Sequence, residues 1–125
     1  MRLALLDDEL GVARLDASAP TPDWASEGSL SSVTRTTGEL SVVCAAAAVP
    51  EGVPAERGWR CLRVAGPLDL ALTGVLASVL TPLAEAKLSA FALSTYETDY
   101  VLVRGADLAP AVACLRAAGH EVLVP

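Results

Sequence analysis

From residue 59 to the end of the chain, the spacing of apolar residues changes period in an order that few folds can satisfy. Residues 59–65 alternate, with Leu62 and Val64 on one side and Cys61 and Arg63 on the other, the period of a strand. Residues 74–86 place Val75, Leu76, Val79, Leu80 and Leu83 on one helical stripe. Thr73 stands where an N-cap belongs, and Pro82 removes one backbone donor inside the helix. Residues 89–95 and 99–104 alternate again around a short turn at Glu97 and Thr98. Asp107 opens a second helix with Leu108, Val112 and Leu115 on one face, Gly119 closes it, and residues 120–124 return to strand. The order is β-α-β-β-α-β, the split βαβ arrangement of ferredoxin-like domains.

The first part of the chain repeats this order in shortened form. Residues 2–6 and 11–16 read as strands joined by the charged turn Asp7, Asp8 and Glu9. A loop then carries a short helix near Pro22, with Thr21 as its cap. Residues 31–36 and 40–44 form a hairpin about Thr37 and Gly38, residues 45–48 fit one helical turn, and residues 50–58 read as a linker rich in Pro, Gly and charge. The hairpin at 34–44 matches that at 94–104 with a separation of 60 residues (94 − 34). The expected architecture is α+β: two tandem ferredoxin-like halves, 1–57 with abbreviated helices and 58–125 complete, each an antiparallel sheet covered by helices on one face.

Composition sets limits on function. The 125 residues are 53% hydrophobic but hold only five aromatic side chains, Trp24, Trp59, Phe91, Tyr96 and Tyr100. Leu, Val and Ala must therefore build the core. Nine basic residues stand against fifteen acidic ones, for a net charge of −6. No basic patch for nucleic acid is implied. Cys44, Cys61 and Cys114 are odd in number and form no CxxC pair, as expected of buried thiols in a reducing cytoplasm. No apolar run approaches the ~20 residues that span a bilayer. The single histidine, His120, is expected at a solvent-exposed helix end. Neither a nucleophile–base arrangement nor a cluster with metal-ligand spacing is evident. The chain is expected to be a non-enzyme without metal or cofactor.

The run from Leu93 to Arg104 (Leu-Ser-Thr-Tyr-Glu-Thr-Asp-Tyr-Val-Leu-Val-Arg), with the flanking runs at 66–77 and 83–89, resembles a signature of the ACT domain family. In the first half, the runs at 32–36 and 39–44 fit the same pattern. The resemblance is to the subgroup that holds small bacterial tandem ACT proteins and the eukaryotic cytosolic arginine sensors. It implies a regulatory module that binds a small ligand, usually an amino acid, at a subunit interface. Carried over, the ligand site comprises Asp69, Leu70, Ala71, Leu72, Thr73 and Gly74 before the first helix. To these the resemblance adds Thr95, Tyr96, Thr98 and Asp99 at the hairpin, and Ser89 and Ala90 from the other subunit of a homodimer.

Helix-start N–H groups suit an amino acid's carboxylate, and the Asp99 carboxylate suits its ammonium. Ala71 and Leu72 stand where the arginine sensors carry acidic residues, which points to a smaller or neutral amino acid. The competing reading is an ACT-like structural or protein-interaction module that takes no small molecule and acts on a protein partner.

Overall fold

The computed structural model describes residues 1–69 and 73–125. Along them run β1 (Arg2–Leu5), β2 (Leu10–Leu15), β3 (Ser32–Arg35), β4 (Leu40–Ala45), β5 (Ala55–Val64), α1 (Val75–Glu85), β6 (Ala90–Ser94), β7 (Asp99–Arg104), α2 (Leu108–Ala117) and β8 (Glu121–Leu123). Single 3-10 turns lie at Asp23–Ser26, Ala46–Ala48 and Gly105–Asp107. The chain divides into a larger unit, Met1–Leu6 with Arg60–Pro125, and a smaller unit, Asp7–Trp59. The expected boundary at 57/58 thus falls within β5, and the first six residues group with the C-terminal ones.

In the larger unit the sheet order is β6-β7-β5-β1-β8. β1 lies antiparallel to β5, with Leu3 opposite Val64, and parallel to β8, with Leu3 opposite Val122. The sheet is therefore mixed, where a purely antiparallel one was expected. The α+β ferredoxin-like architecture holds, with β1 inserted beside the last strand. One face of the sheet, with Leu3, Leu5, Leu62, Val64, Val101 and Val103, packs on Val79 and Leu83 of α1 and on Ala111, Val112 and Leu115 of α2. Such a core needs no aromatic ring, because close helix–sheet approach fills the volume with branched aliphatics.

The helix ends show what sequence patterning resolves and what it misses. Gly74, with φ +78°, is the N-cap of α1, so Thr73 stays outside the helix and no side chain caps it. Asp107 holds the N-cap position of α2, also without a side-chain bond. Gly119 terminates α2 as expected: its N–H donates to the Arg116 carbonyl and the His120 N–H to the Leu115 carbonyl, each at 3.0 Å. His120 is only 9% exposed, contrary to the expected solvent position. Pro82 deprives the Ser78 carbonyl of the N–H one turn on, and the His120 ring supplies a replacement, with Nε2 2.8 Å from that oxygen.

In the smaller unit the sheet order is β3-β4-β2-β5, with antiparallel pairing throughout. Ala13, Ala25, Leu40, Val42, Cys44 and Val49 form its core, with Trp24 and Val53 packed against them. The short helix near Pro22 is a single 3-10 turn capped at Pro22 and not by Thr21. Among the described residues, no helix is long and apolar enough to cross a membrane.

Candidate functional site

The loop that leaves β5 is tied to the β6–β7 turn by hydrogen bonds at both ends. The buried Thr98 hydroxyl donates to the Val64 carbonyl at 2.6 Å, and the Leu68 N–H donates to the Glu97 carbonyl at 2.7 Å. Gly66 permits this approach, since a Cβ there would sit 3.0 Å from the Glu97 carbonyl oxygen and from the Thr98 Cβ. The turn closes on itself: the Thr95 N–H donates to the Thr98 carbonyl at 2.9 Å, and the Thr98 N–H to Thr95 Oγ1 at 3.3 Å. At the end of the hairpin the Ser94 hydroxyl donates to Asp99 Oδ1 at 2.7 Å.

Between loop, turn and helix start lies a cavity of about 170 Å³. Leu68 and Asp69 line it from the loop and Val75 from α1. Ser94, Thr95, Glu97, Thr98 and Asp99 line it from the hairpin. That volume is below the roughly 300–1,000 Å³ of sites for drug-sized molecules. It suits a ligand of metabolite size.

Of the residues expected at the site, Asp69, Thr95, Thr98 and Asp99 come together here. Thr73 and Gly74 lie just before Val75 and are exposed, whereas Tyr96 points away and is 86% exposed. Ser89 and Ala90, assigned to a partner subunit, lie at the far end of β6 and do not line the cavity. Leu70, Ala71 and Leu72 lie outside the described residues. Leu68, Val75, Ser94 and Glu97 line the cavity and were not anticipated. For Ser94 there was a signal: it closes the hairpin opposite Asp99, and facing residues of an antiparallel pair share a side of the sheet.

Chemically the cavity offers three carboxylates (Asp69, Glu97, Asp99), three hydroxyls, and apolar walls from Leu68 and Val75. The first i→i−4 bond of α1 runs from the Ser78 N–H to the Gly74 carbonyl at 2.9 Å. The N–H groups of residues 75–77 therefore precede the helical ladder and suit an anionic group. Among the described residues, no histidine, cysteine or lysine lines the cavity. No three His, Cys, Asp or Glu side chains among them are grouped to hold a metal. The thiols lie elsewhere. Burial pushes Cys61 up to about 12. Burial also raises Cys44, with Glu27 adding to the effect, and raises Cys114.

A sequence profile of the ACT domain matches residues 55–117, and a second profile, of an N-terminal domain, matches residues 8–52. The chain is 44% identical over 59 residues to the cytosolic arginine sensor for mTORC1, subunit 1, of Bos taurus. That alignment takes in 43% of this chain and spans only 18% of the relative's length. A solved structure from Agrobacterium tumefaciens is 39% identical with a TM-score of 0.94, over 99% of this chain and 92% of that one. An aspartate kinase of Clostridium acetobutylicum shares the fold with a TM-score of 0.66 at 12% identity, over 93% of this chain and 34% of the kinase.

Proposed function

The chain belongs to the ACT domain family, a family of regulatory modules, and from that premise we propose that it is a non-catalytic sensor binding a free amino acid in the cavity of its larger unit. The observation that carries this reading is the junction itself. The loop after β5 and the β6–β7 turn are bonded to each other and, with Val75 at the start of α1, line a metabolite-sized hollow. In that hollow the Asp99 carboxylate receives the ligand's ammonium, and the open N–H groups of the first turn of α1 receive its carboxylate. The arginine-sensing relative supports an amino acid as the ligand class.

The active form in this reading is a homodimer in the cytoplasm. Among the described residues β6 pairs only with β7, and its sequence Ala-Phe-Ala-Leu-Ser carries neither charge nor proline to protect the open edge. A second β6 placed there would bring Ser89 and Ala90 of the other subunit toward the ligand.

A thermal-shift screen against the twenty amino acids at millimolar concentration tests the reading. A ligand present at 100 times its Kd adds about 2.7 kcal/mol and raises the midpoint of a small domain by several degrees. A selective shift that Asp99→Ala abolishes, with the fold retained by circular dichroism, supports the sensor. A flat screen removes it in favour of a protein-interaction module.

A further inference from the structure

The charges nearest the two ends of β6 are of opposite sign. Lys87, the only lysine of the chain, stands three residues before the strand, and Glu97 three residues after it (90 − 87 and 97 − 94). Both are exposed. Among the described residues, neither the Lys87 ammonium nor the Glu97 carboxylate has a hydrogen-bond or ion-pair partner. The bond that Glu97 makes to Leu68 uses its main-chain carbonyl. Lys87 also holds a backbone conformation, φ +60°, that a Cβ makes costly and that α2 fills with Gly119. A residue kept in such a conformation directs attention to a use for its side chain, and within the described chain Lys87 has none.

The register of the proposed homodimer supplies one. A two-fold axis perpendicular to the sheet runs two β6 edges antiparallel and keeps both helix layers on one side. A slip of one residue would set the helix face of one strand against the open face of the other. All five residues of Ala90–Ser94 then find partners only when Ala92 lies on the axis. Phe91 faces the partner's Leu93 in this register, an apolar cross-strand pair formed twice. Lys87, five positions before Ala92, comes level with the partner's Glu97, five positions after it (92 − 87 and 97 − 92). We infer that two copies of the chain join at β6 with Ala92 on the axis, and that the partner's Lys87 pairs with Glu97 twice per dimer. Because Glu97 lines the cavity, each cavity is completed by an ammonium from the other subunit. The inference rests on the dimer reading above and adds its register and its charged contact. The strain at Lys87 weakens each folded chain, whereas the ion pair acts only on association.

Sedimentation velocity over a dilution series, applied to the wild type, Lys87→Glu and Glu97→Lys, tests the pair. Each reversal sets two like-charged pairs across the axis and is expected to raise the dimer dissociation constant at least about tenfold. An equimolar mixture of the two variants is the sharper sample. In their heterodimer opposite charges face each other at both places, so affinity is expected to return to within about threefold of the wild type. Recovery on mixing also shows that both variants are folded. Reversals that leave the dissociation constant unchanged overturn the ion pair and leave the dimer standing. Two folded variants, judged by circular dichroism, that weaken association but do not recover together overturn the register. A wild type that remains monomeric at millimolar concentration overturns the dimer and the pair at once.

Discussion

The two units share a strand order and differ in almost everything placed upon it. In the smaller unit the order is second, third, first and fourth strand. In the larger it is the same, with β1 inserted before the fourth. The larger unit covers its sheet with helices of 11 and 10 residues, the smaller with 3-10 turns of 4 and 3. In the smaller unit the sheet presents Ala13 and Cys44 beside Leu40 and Val42, and Trp24, Ala25, Val49 and Val53 cover them without a full helix. The larger presents Leu3, Leu5, Leu62 and Val64, whose bulk demands the leucines and valines of two full helices. Strand order thus follows from the alternating strands and their turns, while the helix layer follows from the volume left to fill. The site follows neither. The candidate cavity lies beside the closing pair of one hairpin only, Ser94 with Asp99, where the smaller unit has Arg35 with Leu40.

Exchanging those closing residues tests the comparison most severely. Leu40 is fully buried in the smaller unit's core, so Leu40→Asp buries a carboxylate among apolar side chains, opposite an Arg35 whose guanidinium is already bonded to the Ala17 carbonyl. The expected loss is about 3 kcal/mol or more, measured by urea denaturation. The reciprocal Asp99→Leu removes only an exposed bond to Ser94 and is expected to cost about 1 kcal/mol, and under the proposed sensor function it also eliminates amino-acid binding. Equal costs in the two directions would show that the closing pairs are not specialised in opposite senses.

Much of this contrast was legible in the residues, and the failures have physical causes. The β-α-β-β-α-β order beyond residue 59 shows in the apolar period, because each element buries one regular face. Residues 55–58 do not, because β5 is an edge strand of the smaller sheet there. An edge tolerates the exposed Glu56 and Arg57 and the glycine that resemble a linker. The place of β1 between β5 and β8 is set by partners more than 50 residues away. Local pattern carries no trace of it, and the turn at Asp7 and Asp8 invited a hairpin with β2 instead. The separation of 60 assigned to the two hairpins misses by one residue. In a strand that slip moves every side chain to the other face, which hid the equivalence of Arg35 and Ser94. Asp69, Thr95, Thr98 and Asp99, singled out by the motif, line one cavity because the loop after β5 is bonded to the β6–β7 turn. Leu68 and Val75 were missed because they are ordinary apolar residues until a loop folds beside them.

Thr98 supplies a smaller test of the same contrast. Its hydroxyl is buried and satisfies the Val64 carbonyl, whereas Glu39, its counterpart in the smaller unit, is exposed. Thr98→Val keeps the shape and strands that carbonyl, with an expected loss of about 1–2 kcal/mol. Glu39→Gln is expected to change stability by less than about 0.5 kcal/mol. Paired thermal melts decide the matter, and a Thr98→Val variant as stable as the parent would mean that the loop after β5 is not held by this bond.

The smallest effect concerns the helix layer that the smaller unit lacks. Helix α1 ends as α2 does, with the Lys87 N–H donating to the Ala84 carbonyl and the Leu88 N–H to the Leu83 carbonyl, both at 2.9 Å. Yet Lys87 sits at φ +60°, where α2 uses Gly119. A Cβ in that region carries a steric cost that glycine avoids, and the exposed lysine makes no bond that offsets it among those seen here. Lys87→Gly is therefore expected to stabilise the chain by about 0.5–1 kcal/mol despite glycine's larger entropy in the unfolded state. Gly119→Ala, with the strain running the other way, is expected to destabilise it by a similar amount. If both substitutions destabilise, the side chain of Lys87 contributes to the end of α1 beyond its backbone. The larger unit would then owe its helix layer to surface contacts as well as to the core that its strands present.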